Sequence, residues 1–147
     1  MKKQGKFLIL GVYVLGMLWL LFGQRMQTGS VRGIQLRPFY TLRLFWNALF
    51  YGQDGGARQH ALLNLVGNLV LFIPLGFLLP WIWRWWQAFW KHILLMAGLI
   101  MAVELLQWIT GLGWCDVDDL LLNLVGTSLG YCLWRLFSGR TKIYNRI

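Results

Sequence analysis

Residues 104–123 read ELLQWITGLGWCDVDDLLLN and hold most of the chain's acids between two apolar runs. Its first residues close one long apolar run and its last residues open another, with Gly111 and Gly113 between them as candidate helix C-caps. Of the five acids in the 147-residue chain, Glu104, Asp116, Asp118 and Asp119 all fall here. Acids gathered at one turn between two apolar runs predict two membrane-crossing helices that share a polar end, and a site at that end.

Composition supports a membrane protein. Hydrophobic residues make up 58% of the chain and charged residues 13%, with a mean hydropathy of +0.54; soluble domains carry roughly a quarter charged residues. The formal charge of +9 and the ten tryptophans fit the same class, because Lys and Arg anchor cytoplasmic ends while Trp favours the lipid–water interface. Nucleic acid is excluded as a partner, since the basic residues are scattered between apolar runs and no recognition module accompanies them. Cys115 and Cys132 are too far apart along one helix for an intramolecular disulfide and lack metal-ligand spacing, so they read as small apolar fillers.

Working outward from 104–123, the flanking runs at about 92–109 and 120–137 are the third and fourth of four. The first, about 7–23, follows Lys2, Lys3 and Lys6 and could be a signal peptide or an uncleaved span. The uncleaved span is favoured, because the following GQRMQ has no small-x-small cleavage pattern and no lipobox cysteine. The second, about 61–83, is interrupted by Asn64, Asn68 and Pro74. Pro74 with Gly76 predicts a kink that frees a backbone carbonyl for a neighbour to satisfy, and WIWRWW at 81–86 reads as an interfacial belt. Gly126 and Gly130 have the GxxxG spacing of close helix contact.

The long first loop, 24–60, carries Arg25, Arg32, Arg37, Arg43 and Arg58 but no lysine. Pro38 is placed to start a helix, and Phe39, Leu42, Phe45, Trp46, Leu49 and Phe50 recur at helical spacing, ended by GQDGG at 52–56. The expected fold is therefore all-α integral membrane: one domain over 1–147, with four transmembrane helices and an amphipathic interfacial helix in the long first loop.

Four spans put both termini on one side, and the basic N-terminus, 84–91 turn and tail assign that side to the cytoplasm. The arginine-only first loop departs from this charge rule, which suggests that its arginines pair with carboxylate or phosphate. Alternating spans then bring Asn64, Asn68, Glu104, Gln107, Asp116, Asp119 and Asn123 to one external end, leaving the cytoplasmic halves nearly free of buried polar groups. Glu104 and Gln107 share a stripe at i, i+3, as do Asp116, Asp119 and Asn123 at i, i+3, i+7. A lone carboxylate at mid-bilayer costs about 2.5–3.5 kcal/mol, so Glu104 needs a partner, a bundle interior or water. Blander roles stand beside these: Asp116 and Asp118 as helix starters, the asparagines as interhelical glue of about 0.6 kcal/mol each, the arginines as headgroup anchors, and His60 as an interfacial residue.

LRPFYTL at 36–42, NLVGNLVLFIPLGFLLP at 64–80, ELLQ at 104–107 and DVDDLLLNLVGTSLGY at 116–131 together resemble the VanZ-like family of bacterial membrane proteins over about 36–131. The resemblance singles out Pro38, Asn68, Pro74, Gly76, Glu104, Gln107, Asp116, Asp119, Asn123 and Gly126. Members often have a basic residue in the turn before the aspartates, where this chain has Gly113, Trp114 and Cys115. A first-loop arginine, with Arg37 and Arg58 best placed, would have to serve instead. The namesake's association with low-level teicoplanin resistance implies a cell-envelope role.

The expected function is a contribution to glycopeptide tolerance, through an outward polar cluster that binds or processes a lipid headgroup or lipid-linked wall precursor. Glu104 and Asp119 are the candidate catalytic pair; Asn64, Asn68, Gln107, Asp116, Asn123, Arg37 and Arg58 are candidate ligand-binding residues. No cofactor or metal is assigned, a divalent ion on oxygen ligands belonging only to an enzymatic version. The expected partners are membrane lipids, and the expected location is the bacterial cytoplasmic membrane as a multi-pass protein with both termini cytoplasmic. The alternative is a non-enzymatic accessory or assembly protein in which the cluster is structural and the GxxxG segment and amphipathic helix recruit a partner. A proton or ion carrier is disfavoured for want of a polar relay across the inner half.

Overall fold

Long apolar runs without water must satisfy their backbone internally, and all four runs do so as helices. The computed structural model describes residues 3–23, 31–51 and 55–144, with side chains other than those at 31, 48, 49, 55, 57, 58, 60, 61 and 140–144. In chain order the elements are α1 (Lys3–Leu18), continued by a π turn (Trp19–Gly23), β1 (Val31–Gln35), α2 (Tyr40–Phe50), α3 (Gly55–Ile82), a 3-10 turn (Arg84–Gln87), α4 (Phe89–Thr110), β2 (Leu112–Asp116) and α5 (Val117–Tyr144). Four segments are long and apolar enough to cross a membrane: Lys3–Gly23, Leu62–Ile82, Phe89–Thr110 and Val117–Gly139. Their outward faces leave Leu8, Leu15, Leu94, Val125 and Leu136 exposed, a surface that lipid rather than water suits.

Helices α3 and α5 form the central pair, and glycine sets their separation. A Cβ on Gly76 would strike the Thr127 carbonyl, one on Gly126 the Leu69 carbonyl, and one on Gly130 the Ile73 carbonyl, all far inside van der Waals contact. The GxxxG spacing is thus used within the chain, against α3, and is not left over to recruit a partner. Around this pair Met17 and Leu21 of α1, Phe72, Leu75 and Leu79 of α3, and Met96 and Ile100 of α4 make the apolar core.

Helix α3 runs through both Pro74 and Pro80. One turn before Pro74 the Leu71 carbonyl accepts a hydrogen bond from the Tyr13 hydroxyl, which docks α1 on α3. At the other prolyl turn, Gln87 Nε2 donates to the Pro80 carbonyl over 3.1 Å, and Lys6 Nζ donates to the Trp81 carbonyl over 3.2 Å while lying over the Trp81 ring. These bonds satisfy carbonyls at the helix C-terminus.

Two details of the expected fold change. Beside its helices the chain has a short parallel strand pair, Leu112–Asp116 with Val31–Gln35, from Val31↔Leu112 to Gln35↔Asp116. Gly33 lies directly beneath the Trp114 ring, where any Cβ would collide. Each stretch is only five residues long and interrupted by glycine, so period-2 patterning is too weak to mark a strand. Second, Pro38 does not begin the amphipathic helix. The helix starts at Tyr40, after Phe39 adopts the left-handed region at φ 62°, a strained conformation for a bulky residue. Gly111, by contrast, ends α4 in the left-handed conformation expected of a C-cap, at φ 72°. The Arg25 region and most of the GQDGG turn lie outside the described residues, as do the side chains of Arg58 and His60.

Candidate functional site

The acids meet where α5 begins. Asp116 immediately precedes the helix, and its Oδ1 accepts the Asp118 N–H at 2.8 Å, an N-cap bond. Glu104 Oε2 accepts the Asp116 N–H at 3.4 Å, tying the end of α4 to the start of α5. Asp119 Oδ1 accepts both Asn64 Nδ2 at 3.1 Å and Asn68 Nδ2 at 2.5 Å, while Asn68 also donates to Asn64 Oδ1 at 3.0 Å. The i, i+4 asparagines of α3 thus grip one carboxylate of α5.

Asp118 has a larger role than starting its own helix. Its two carboxylate oxygens accept the backbone N–H groups of Phe39, at 2.5 Å, and Thr41, at 2.7 Å. Helix α2 has no capping side chain of its own at Phe39, so a carboxylate from another helix supplies the missing acceptor at its positive end. Asp118 is only 4% exposed, and each charge-assisted bond is worth about 1.5–3 kcal/mol. That stabilisation offsets the left-handed turn at Phe39.

The remaining candidates separate. Gln107 is buried and donates to the Leu21 carbonyl at 3.0 Å, satisfying a group in the π turn of α1. Asn123 is buried, and its Oδ1 has no hydrogen-bond partner among the described residues. Arg32 donates to the Ile109 carbonyl at 2.9 Å, at the negative end of α4. Arg37 and Arg43 are exposed; with Pro38, Phe39, Leu42 and Trp46 they line an apolar groove of about 610 Å³ beside α2. The structure therefore brings Asn64, Asn68, Glu104, Asp116 and Asp119 together at the start of α5, adds Asp118, and leaves Arg37 in the segment just before α2.

Outside the spans, burial raises the Asp116 carboxyl above its ordinary pKa, with the Asp118 charge adding to the rise and the Asp118 N–H bond opposing it. Burial also pushes up the Cys115 thiol, helped by the charges of Glu104 and Asp116. The thiolate that nucleophilic chemistry needs is therefore disfavoured at Cys115. Among the described residues, no three His, Cys, Asp or Glu side chains are grouped to hold a metal ion.

A family model described as VanZ/LLP1 matches residues 7–138. The chain belongs to the VanZ/LLP1 family. The match takes in α1 as well as the motifs between 36 and 131, so the first helix is part of the VanZ/LLP1 domain and not an addition to it. With four apolar helices, this VanZ/LLP1 chain is a multi-pass membrane protein. Comparisons with curated proteins and with solved structures found no match.

One buried polar group lies outside the expected cluster. The half of the bundle opposite the carboxylates is not free of buried polar groups: His92, Thr127 and Tyr131 are all buried there. Asp119, Asn123, Thr127 and Tyr131 recur every four residues along α5, so the signal was present as a continuation of the acidic stripe. A hydroxyl or a neutral ring carries no formal charge, so it marks a polar stripe less strongly than an aspartate does.

Proposed function

We propose that the carboxylate end faces outward, with both termini cytoplasmic, and that it binds the phosphate- or carboxylate-bearing headgroup of a membrane lipid or lipid-linked wall precursor. Such binding would contribute to tolerance of glycopeptides of the teicoplanin type. The observation that carries this reading is the groove beside α2: Arg37 and Arg43 are exposed there without an ion-pair partner among the described residues, next to the apolar faces of Phe39, Leu42 and Trp46. Guanidinium groups match phosphate and carboxylate in paired bonds, and an apolar lining suits a lipid tail. The acids hold the groove in place: Asp118 secures the start of α2, and Asp116, Asp119 and Glu104 secure Asp118 through α3, α4 and α5.

The test is headgroup binding by the full chain in nanodiscs of neutral phosphatidylcholine, titrated with phosphatidylglycerol and with a polyprenyl-diphosphate wall precursor. Arg37→Gln combined with Arg43→Gln is expected to weaken binding of the preferred anionic lipid by about tenfold or more, each charge-assisted contact being worth about 1.5–3 kcal/mol. Unchanged affinity in a folded double variant would reject the groove as the site.

A second reading, a non-enzymatic assembly protein with a structural cluster, is favoured by the bonds themselves. The described bonds of Asp116, Asp118 and Asp119 run to the chain's own backbone and amides. The enzymatic version instead gives Glu104 and Asp119 acid and base roles. Glu104→Gln separates the two. Drug tolerance lost at normal membrane abundance supports a chemical role, whereas tolerance falling in proportion to abundance supports the structural one.

A further inference from the structure

His92, near the start of α4, and Thr127 of α5 are both fully buried, and His92 Nε2 lies 2.9 Å from Thr127 Oγ1. A neutral imidazole carries one N–H and a threonine one O–H, and a single hydrogen bond between them uses one of the two. If Nε2 donates, the Thr127 proton is left over; if Thr127 donates, the proton on Nδ1 is left over, and Nδ1 has no partner among the described residues. In either tautomer one buried donor goes unmatched by them. One turn away on α5, Asn123 Oδ1 is a buried acceptor that also has no partner among the described residues.

An unmatched donor and an unmatched acceptor a helical turn apart in an apolar interior are each costly, and buried water is the usual remedy. On the carboxylate side the stripe continues from Asn123 to Asp119, which Asn64 and Asn68 hold. On the other side His92 sits one turn inside α4, packed against Trp86 and Tyr131 at ring-centroid distances of 5.8 and 5.1 Å. Tyr131 in turn donates to the Gln87 carbonyl in the exposed 3-10 turn, at 2.5 Å. From Asp119 to Tyr131 the stripe covers about 18 Å at 1.5 Å per residue, more than half of a hydrocarbon core roughly 30 Å thick.

We propose that Asp119, Asn123, Thr127 and His92 line a proton path through the bundle, completed by water held between Asn123 Oδ1 and the Thr127–His92 pair. In one transfer, neutral His92 takes a proton at Nδ1 from water at the 3-10 turn and releases the proton on Nε2 to Thr127 Oγ1. The threonine hydroxyl passes its own proton to the bridging water, and from there a proton reaches the Asp119 carboxylate. Asp119 returns to its ionised form by releasing that proton to water at the polar end. Asn123 carries no proton; it orients the water. Rotation of the hydroxyl and exchange of the imidazole tautomer reset the path, and no bond other than O–H and N–H is made or broken. This proposal is independent of headgroup binding at the α2 groove.

The experiment uses the full chain in liposomes of neutral phosphatidylcholine, with a pH-sensitive dye inside and a potassium diffusion potential set by valinomycin. The wild-type chain is expected to collapse an imposed pH difference faster than protein-free vesicles. Thr127→Val keeps the volume but removes the hydroxyl, and it is expected to fall to the protein-free rate, as is Asn123→Leu. Thr127→Ser is expected to restore flux, a rescue that a merely structural threonine would not require. Wild-type flux equal to that of protein-free vesicles overturns the proposal, as does full flux in Thr127→Val. If Thr127→Val fails to fold, as judged by gel filtration and tryptophan fluorescence, Asn123→Leu and Thr127→Ser decide by the same criteria.

Discussion

Gly130→Val is expected to leave almost no folded protein in the membrane. The added Cβ would fall on the Ile73 carbonyl and 2.9 Å from the Phe77 nitrogen, both main-chain atoms of α3 that cannot swing aside as a side chain can. The helices would have to separate along their whole contact, since Gly126 and Gly76 sit equally close to Leu69 and Thr127. Separation forfeits the close packing that holds helices together in lipid, where no hydrophobic effect compensates. The expected loss exceeds about 3 kcal/mol, beyond the usual cost of an overpacked core. Gly98 provides the control: a Cβ there meets nothing within 4 Å, so Gly98→Ala should be neutral or stabilise α4 by up to about 1 kcal/mol. Thermal unfolding in detergent reads both, and a Gly130→Val protein that melts with the wild type would show that the α3–α5 contact is looser than described.

Asp118→Ala is expected to free α2 while leaving the four spans assembled. The substitution removes both acceptors from the Phe39 and Thr41 N–H groups and the negative charge from the positive end of α2. Two charge-assisted bonds at about 1.5–3 kcal/mol each are more than an 11-residue helix can replace from its own sequence, because isolated helices of that length are marginal. The left-handed turn at Phe39 would also relax, its cost no longer offset. Hydrogen exchange should accelerate at the amides of 39–42 well before those of α3 and α5 change, and headgroup affinity should fall with it. Asp118→Asn, which keeps one carbonyl acceptor, should be intermediate. Unaltered exchange at Phe39 and Thr41 in Asp118→Ala would mean that α2 is held by other contacts.

Much of the candidate site was legible before any coordinates. Asn64 and Asn68 at i, i+4, and Asp119 across from them, follow from counting residues along spans that alternate in direction. The cap at Asp116 follows from its place ahead of an apolar run. Gln107 lies near the polar end of α4, yet its partner is the Leu21 carbonyl and not a member of the acidic group. No pattern in the sequence announces that α1 ends in a π turn with a carbonyl to satisfy.

By itself the sequence determined the four spans, because hydrocarbon admits only long apolar helices, and hydropathy is a sum over local residues. It also determined the shared polar end and the close approach of α5, since carboxylates and GxxxG spacing are costly or purposeless elsewhere. Which groups join across distance depends on how the helices pack. Asp118 is 79 residues from Phe39, and whether it caps its own helix or another depends on where α2 lies, which local propensity does not encode. The β1–β2 pair and the His92–Thr127 bond have the same character. Each satisfies a polar group by a partner remote in the chain, and the partner is fixed only once the helices have packed.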